Sequence, residues 1–336
     1  MTGARLAWPV GVRLAVLGAL AVLAILAGIR LGVVSLTTRA LFDAIAGRGD
    51  PTTVTIIRQL RAPRALQAAL VGAALAVSGA TFQALLRNPL AEPYILGVSS
   101  GAAAGAVLAV VTGWAVRFVW ALPLAAFAGA VLSMLVVFRI AFSVGRALDT
   151  RVLLLAGVVM SSFLVALIWL VLNFADTESV RSAIFWMMGS HAGASWRSVG
   201  ILVACFVPAM AVLFSLARAL NLLAIGEATA AYLGASVERT KLLAFATATL
   251  LTAASVSVSG TIGFVGLVVP HAVRLLWGSD NRALLPCAAL AGAAFLVGAD
   301  TLARTLAGAN ELPIGIVTAL VGVPCFVRLL RQPRAV

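Results

Sequence analysis

Charged residues are widely spaced along this chain, and the stretches between them have the length of membrane-crossing helices. Runs free of Asp, Glu, Lys and Arg cover residues 14–29, 65–86, 93–116, 118–138, 152–175, 198–217, 242–273, 283–299 and 312–327. About 20 apolar residues of helix cross a hydrocarbon core of about 30 Å. Most of the runs reach that length, and the two shortest do so once a flanking Arg reaches the interface. None shows the short alternating segments of a barrel strand. Because lipid offers no partner to backbone N–H and C=O groups, only helices remain. The pattern predicts an all-α, polytopic membrane fold.

The run 242–273 is too long for one span and carries Gly260, Gly263, Gly266 and Pro270, which punctuate helices. Splitting it gives about ten transmembrane helices. The even count puts both termini on one side, where Arg5 and Arg13 at one end face Arg328, Arg331 and Arg334 at the other. With that side cytoplasmic, the inner segments hold 14 of the 24 basic residues, the bias expected of cytoplasmic loops. The first apolar stretch runs on to about Val34 with no small-x-small cleavage site behind it, so it reads as a retained first span. The expectation is one transmembrane domain over residues 1–336 of a cytoplasmic (inner) membrane protein.

Composition sharpens this picture. Hydrophobic residues make up 62% of the chain and charged residues 10%, against about a quarter charged in soluble domains. The net charge of +13 comes from Arg scattered over loops with a single Lys, Lys241, and forms no basic domain for a nucleic acid. Cys205, Cys287 and Cys325 each lie in an apolar run, without disulfide or metal spacing.

The spans offer little to power transport. Proton- or ion-coupled carriers place ionisable groups at mid-membrane, and no isolated buried carboxylate is evident here. Asp300 and Arg304 stand one helical turn apart and can pair. A P-loop needs a Lys after a glycine-rich loop, and Lys241 sits in Glu238-Arg239-Thr240-Lys241 instead. The chain is therefore not expected to be an enzyme or to hold a cofactor, and an energy source would sit on another polypeptide. A secondary carrier that works alone is the alternative of another class. The inner segment 218–241, where Gly226 and Gly234 bound the amphipathic stretch Glu227 to Leu233, reads as two short helices. They either rest on lipid or receive a partner.

Several motifs in order carry a family resemblance. They are Arg61-Ala-Pro-Arg64, Ser78-Gly79 with Gln83, and Arg87-Asn88-Pro89-Leu-Ala-Glu92-Pro-Tyr-Ile-Leu-Gly97-Val-Ser-Ser-Gly101. Gly263-Phe-Val-Gly-Leu-Val-Val-Pro270-His271-Ala-Val-Arg274, Asp300 with Arg304, and Glu311-Leu-Pro-Ile-Gly315 follow. Over residues 55–330 the chain resembles the FecCD-type permeases of ABC importers. The resemblance implies a type II ABC importer permease fold and import of ferric siderophores, with haem or cobalamin as alternatives. It implies a second permease subunit, two ATP-binding cassette subunits that use ATP and Mg, and an extracytoplasmic substrate-binding protein. It also implies that Arg61, Arg64 and Arg304 receive acidic residues of the binding protein. The segment 218–241, with Gly226, Glu227, Ala228, Leu233 and Gly234, would couple to the ATPase.

The remaining motif residues have structural readings. Arg87, Asn88 and Pro89 end the second span in a turn. Gly97, Gly101 and Gly105 form a small-residue face for close helix packing. Pro270 and His271 are expected to form a turn with a hydrogen-bonded imidazole, since one His without a second ligand is no metal site. His191 is expected at the surface of outer loop 176–197, and Ile184-Phe-Trp-Met-Met188 as an interfacial helix. Residues 77–97 and 258–278 echo each other weakly, as repeats in transporters do. Asn281 stands where relatives commonly carry His.

Overall fold

The computed structural model describes residues 8–32, 37, 39, 43, 46–144, 149–306 and 311–330. Arg5, Arg146, Arg331, Arg334 and the stretch around Val34 lie outside the described residues. The helices run α1 (Val10–Arg30), α2 (Pro51–Leu85), α3 (Val98–Val111), α4 (Ala121–Val144), α5 (Thr150–Asn173), α6 (Thr177–Met187) and α7 (Trp196–Ser215). They continue as α8 (Ala217–Ile225), α9 (Glu227–Tyr232), α10 (Val237–Ser259), α11 (Val265–Trp277), α12 (Asn281–Leu306) and α13 (Ile314–Leu330). Among the described residues, α1, α2, α4, α5, α7, α10 and α12 are long and apolar enough to cross a membrane. The apolar helices α3, α11 and α13 are shorter. Together these are the ten expected from the charge pattern.

The central helix is α2, which packs against α12, α10, α11 and α7. Asp50 caps its start, accepting from Thr53 N at 2.9 Å, and Pro51 occupies the first turn, where its missing N–H is harmless. Alanine and glycine line its length, so neighbouring backbones come close. A Cβ built on Gly72 would lie 2.2 Å from Gly292 O of α12, and one on Gly292 would lie 2.3 Å from Gly72 O. Gly101 of α3 and Gly129 of α4 meet in the same reciprocal way. Where lipid tails are as apolar as the side chains, such close packing drives association.

The surface is inside-out. Buried residues make up only 22% of the apolar windows of α1, α5 and α7. Leu155, Phe163 and Trp169 of α5 are exposed. Contiguous apolar surface of this extent on a water-soluble monomer would drive aggregation; in a bilayer it is the lipid-facing or subunit-facing wall.

Two breaks shape the interior. The charge-free run 93–116 forms its one long helix over 98–111, with a short helical turn from Trp114, because Pro93 opens a short 3-10 turn, Gly97 adopts φ +74° and Gly113 adopts φ +72°. The run 242–273 breaks after Ser259, where Gly260 takes φ +67°. Pro270 makes no turn, contrary to expectation. It lies inside α11, in the first half of the helix.

Candidate docking, coupling and pathway sites

Near the start of α2 and the last turns of α1 and α12 the structure brings Arg61, Arg64 and Arg304 together, with Arg64 and Arg304 on one carboxylate. Asp300, almost fully buried, accepts from Arg64 Nη2 at 3.0 Å and Nε at 3.1 Å. Arg304 Nε lies 3.1 Å from Asp300 Oδ2 as an ion pair, without the alignment of a hydrogen bond. The other edges of Arg61 and Arg304 serve the end of α1. A helix leaves its last carbonyls without internal partners. Here Arg61 Nη1 donates to Arg30 O at 2.9 Å, and Arg304 Nη2 to Gly28 O at 2.9 Å. Arg64 turns a paired edge toward solvent: its Nη1 donates to both oxygens of Glu311, each at 2.9 Å. The three arginines stand together as the motifs imply, but their guanidinium groups are engaged within the chain.

Behind this cluster lies a neutral polar group. His191 is fully buried, with Nδ1 3.2 Å from Gln67 Nε2. This corrects the surface position expected for it. Gln67 also donates to Val258 O, and Ser198 Oγ donates to Gln67 Oε1. Burial pushes the His191 imidazole down to about 4, so it is neutral at physiological pH. The loop composition around it gave no signal for burial, because its partners lie on α2 and α7.

At the opposite end, α8 and α9 form the two short helices expected in 218–241, separated at Gly226 and closed by Gly234 at φ +83°. Their outer side presents Ile225, Tyr232 and Leu233, with Tyr232 92% exposed. Polar side chains tie the segment to the spans. Lys241 of α10, buried, places Nζ 3.0 Å from Glu227 Oε1. Asn221 of α8 accepts from Asn281 N and Nδ2, both at 2.8 Å, and donates to Asp280 Oδ1 at 2.7 Å. The Arg282 backbone N–H and the Asn221 amide hold the Asp280 carboxyl below its usual range. Asn281 is thus half of an amide pair that fastens α8 to α12.

Between these ends the two breaks meet. Arg87 takes φ +49°, and Asn88 Oδ1 accepts from Leu90 N, forming the expected turn before Pro89. The chain then turns back into the protein. Tyr94 Oη donates to Ile262 O at 2.8 Å and accepts from Ile262 N at 3.0 Å. Glu92 Oε1 accepts from Phe264 N at 2.9 Å. Phe264 holds φ +69°, a region that costs a bulky residue about 1–3 kcal/mol. It lines an open apolar groove of about 450 Å³ with Met187, Met188, Thr261, Gly315 and Leu320. Gln83 braces the same region, donating to Leu267 O and accepting from Arg274 Nη1 at 2.7 Å. Close packing is what Gly97 and Gly101 provide: Ser133 Oγ donates to Gly97 O, and Gly101 meets Gly129. His271 has no hydrogen bond to Nδ1 and packs its ring edge-on against Phe326, correcting the hydrogen-bonded imidazole expected there. No cluster of metal-ligating side chains occurs among the described residues.

Comparison with known proteins agrees with this arrangement. The model of the FecCD transport family matches residues 19–332. A protein of Halobacterium salinarum named "Cobalamin import system permease protein BtuC" is 48% identical, over 84% of this chain and 76% of its own length. The "Uncharacterized ABC transporter permease protein YvrB" of Bacillus subtilis is 43% identical, over 87% of this chain and 84% of its own. A solved chain matches with a TM-score of 0.86 at 35% identity, covering 95% of this chain and 99% of its own. It is described as an inward-facing ABC transporter thought to be of the metal-chelate type.

Proposed function

The chain belongs to the FecCD transport family, and on that premise we propose that it forms the membrane pathway through which a metal chelate is imported, with cobalamin the first cargo to test. It is an ABC importer permease of the type II fold, spanning the membrane many times. The observation that carries the cargo reading is the 48% identity to a permease named for cobalamin import. The groove beside Phe264 offers one hydroxyl, Thr261, and no charged group, so as a pathway wall it would hold a passing polar chelate only weakly. A ferric siderophore is the second reading, favoured by the likeness to the metal-chelate type transporter.

In this reading residues 1–336 form one transmembrane domain with both termini cytoplasmic, paired with a second permease subunit. Two ATPase subunits use ATP and Mg, and receive the exposed face of α8 and α9. An extracytoplasmic binding protein docks at the outer cluster of Arg61, Arg64 and Arg304. Its acidic residues meet Arg64 at the Nη1 edge that Glu311 occupies in the free chain. Arg61 and Arg304 hold the ends of α1 and α12 in register beneath it. Carboxylate pairs with guanidinium are strong and geometrically specific, and opposite charge speeds encounter.

Uptake into proteoliposomes that contain the chain, its ATPase and its binding protein tests the cargo. ATP-dependent accumulation of cyanocobalamin is expected. Accumulation of a ferric siderophore with no uptake of cyanocobalamin would select the second reading, and no uptake of either would reject both.

A further inference from the structure

The buried meeting of the two breaks has no counterpart among the docking and coupling contacts. Residues 88–97 enter the protein from one end and residues 260–264 from the other, and they are tied by three hydrogen bonds. Two of these use Tyr94 Oη and pass to the backbone of Ile262. The third runs from Phe264 N to a carboxylate, Glu92. Pro93 fits against Gly266, where a Cβ would lie 2.5 Å from Pro93 Cδ. The turn is left-handed at both Gly260 and Phe264. Glycine adopts that conformation freely, but phenylalanine does not, and for a bulky residue it is a true outlier. Something must hold Phe264 there, and its own N–H is bonded to a side chain from the other break.

The position gives this strain a use. The Phe264 side chain lies across from Gly322 of α13, where a Cβ would come 2.7 Å from Phe264 Cβ. It therefore fills the space between α11 and α13 and forms part of the groove wall. Relaxing the backbone of Phe264 to an ordinary conformation would swing the ring out of that wall. A strained residue with a removable restraint, at the edge of the pathway, is bistable in the way that gates require.

We propose that Glu92 is a positioning residue that latches Phe264 in its left-handed conformation, and that releasing this latch is the local step by which the groove changes width during transport. The latch rests on the transport reading above for its purpose, but not for its existence. Charge is not needed for it. The contact asks only for an acceptor at Oε1, so Gln serves as well as Glu.

A double-mutant cycle tests it with the purified full chain in detergent. Glu92→Ala is expected to lower the melting midpoint by at least about 3 °C, and Glu92→Gln to restore most of it. Gly at position 264 takes a left-handed φ without strain, so in a Phe264→Gly background Glu92→Ala should lower the midpoint clearly less, keeping only the loss of an acceptor for the residue-264 N–H. Equal losses in both backgrounds would overturn the latch, because Glu92 would then be supporting something other than Phe264. With ATPase and binding protein added, Glu92→Ala should lower cargo moved per ATP about tenfold and Glu92→Gln should not; an unchanged ratio in Glu92→Ala would overturn the gating role. If the unmutated chain moves no chelate at all, the transport reading fails, while the melting cycle still decides the latch.

Discussion

Lys241 Nζ stands 3.0 Å from Glu227 Oε1, so the single lysine of the chain fastens the first residue of α9 to the base of α10. That pair and the contacts of Asn221 with Asp280 and Asn281 tie α8 and α9 to the spans, and in the proposed function they carry motion between them. From Asn281, α12 runs without a break to Asp300 and Arg304 in the outer cluster. The same helix therefore begins beside α8 and ends at the Arg64–Asp300–Arg304 cluster, the two places proposed above for ATPase coupling and binding-protein docking.

Replacing Glu227 with Ala removes a charged hydrogen-bond partner from buried Lys241. A loss of about 1–3 kcal/mol is expected, seen as a lower melting midpoint, and Glu227→Gln should lose less. Transport should fall further than ATPase activity, because the tie transmits motion rather than supporting hydrolysis. Equal falls in both rates would assign the pair a structural role only.

The outer cluster is expected to be far more sensitive. Asp300→Ala would leave two buried guanidinium groups facing each other, and breaking a buried ion pair costs about 3–5 kcal/mol. Chemical or thermal unfolding of the detergent-solubilised variant measures this. A loss below 1 kcal/mol, roughly the value of a surface pair, would mean that the cluster is not buried as described.

Glu311 offers a gain rather than a loss. Glu311→Gln removes a carboxylate that competes for Arg64 Nη1 and repels an acidic partner. Affinity for the binding protein should rise about tenfold, worth about 1.4 kcal/mol. Weaker binding would show that Glu311 presents Arg64 instead of occupying it.

His191 provides a pH test. Its imidazole is lowered from 6.5 to about 4 by burial, so below pH 6.5 the unfolded chain takes up a proton that the folded one refuses. The stability that this residue contributes is complete above about pH 6.5 and is lost as the pH falls toward 4. The melting midpoint should decline over that window, and His191→Gln should flatten the decline. An equal slope in both proteins would place His191 in contact with water.

The sequence makes the helices of this fold legible because lipid removes ambiguity: an uncharged run of spanning length has few other uses. It also places a break within 260–270, which the structure puts at Gly260, and marks the short helices bounded by Gly226 and Gly234, since glycine often ends a helix. What it hides are contacts across long separations. Glu92 and Phe264 are 172 residues apart, and composition alone places Glu92 in an inner loop. His191 looks like a loop residue until Gln67 and Ser198 close over it. Pro270 looks like a turn because proline usually breaks helices, yet it is tolerated inside α11, where neighbouring helices cover the backbone. The weak echo between 77–97 and 258–278 has a physical counterpart: these are the two segments that bind each other, through Glu92 with Phe264 and Tyr94 with Ile262.

In the proposed function this chain is a gate without an engine of its own, moved through α8 and α9. Chelate uptake into proteoliposomes, compared with an active ATPase, with an ATPase unable to hydrolyse ATP, and with none, tests it most directly. Accumulation is expected only with the active ATPase, and is expected to be lost when Tyr232 and Leu233 are both changed to Asp. Sustained accumulation by the chain alone, driven by an ion gradient, would contradict it.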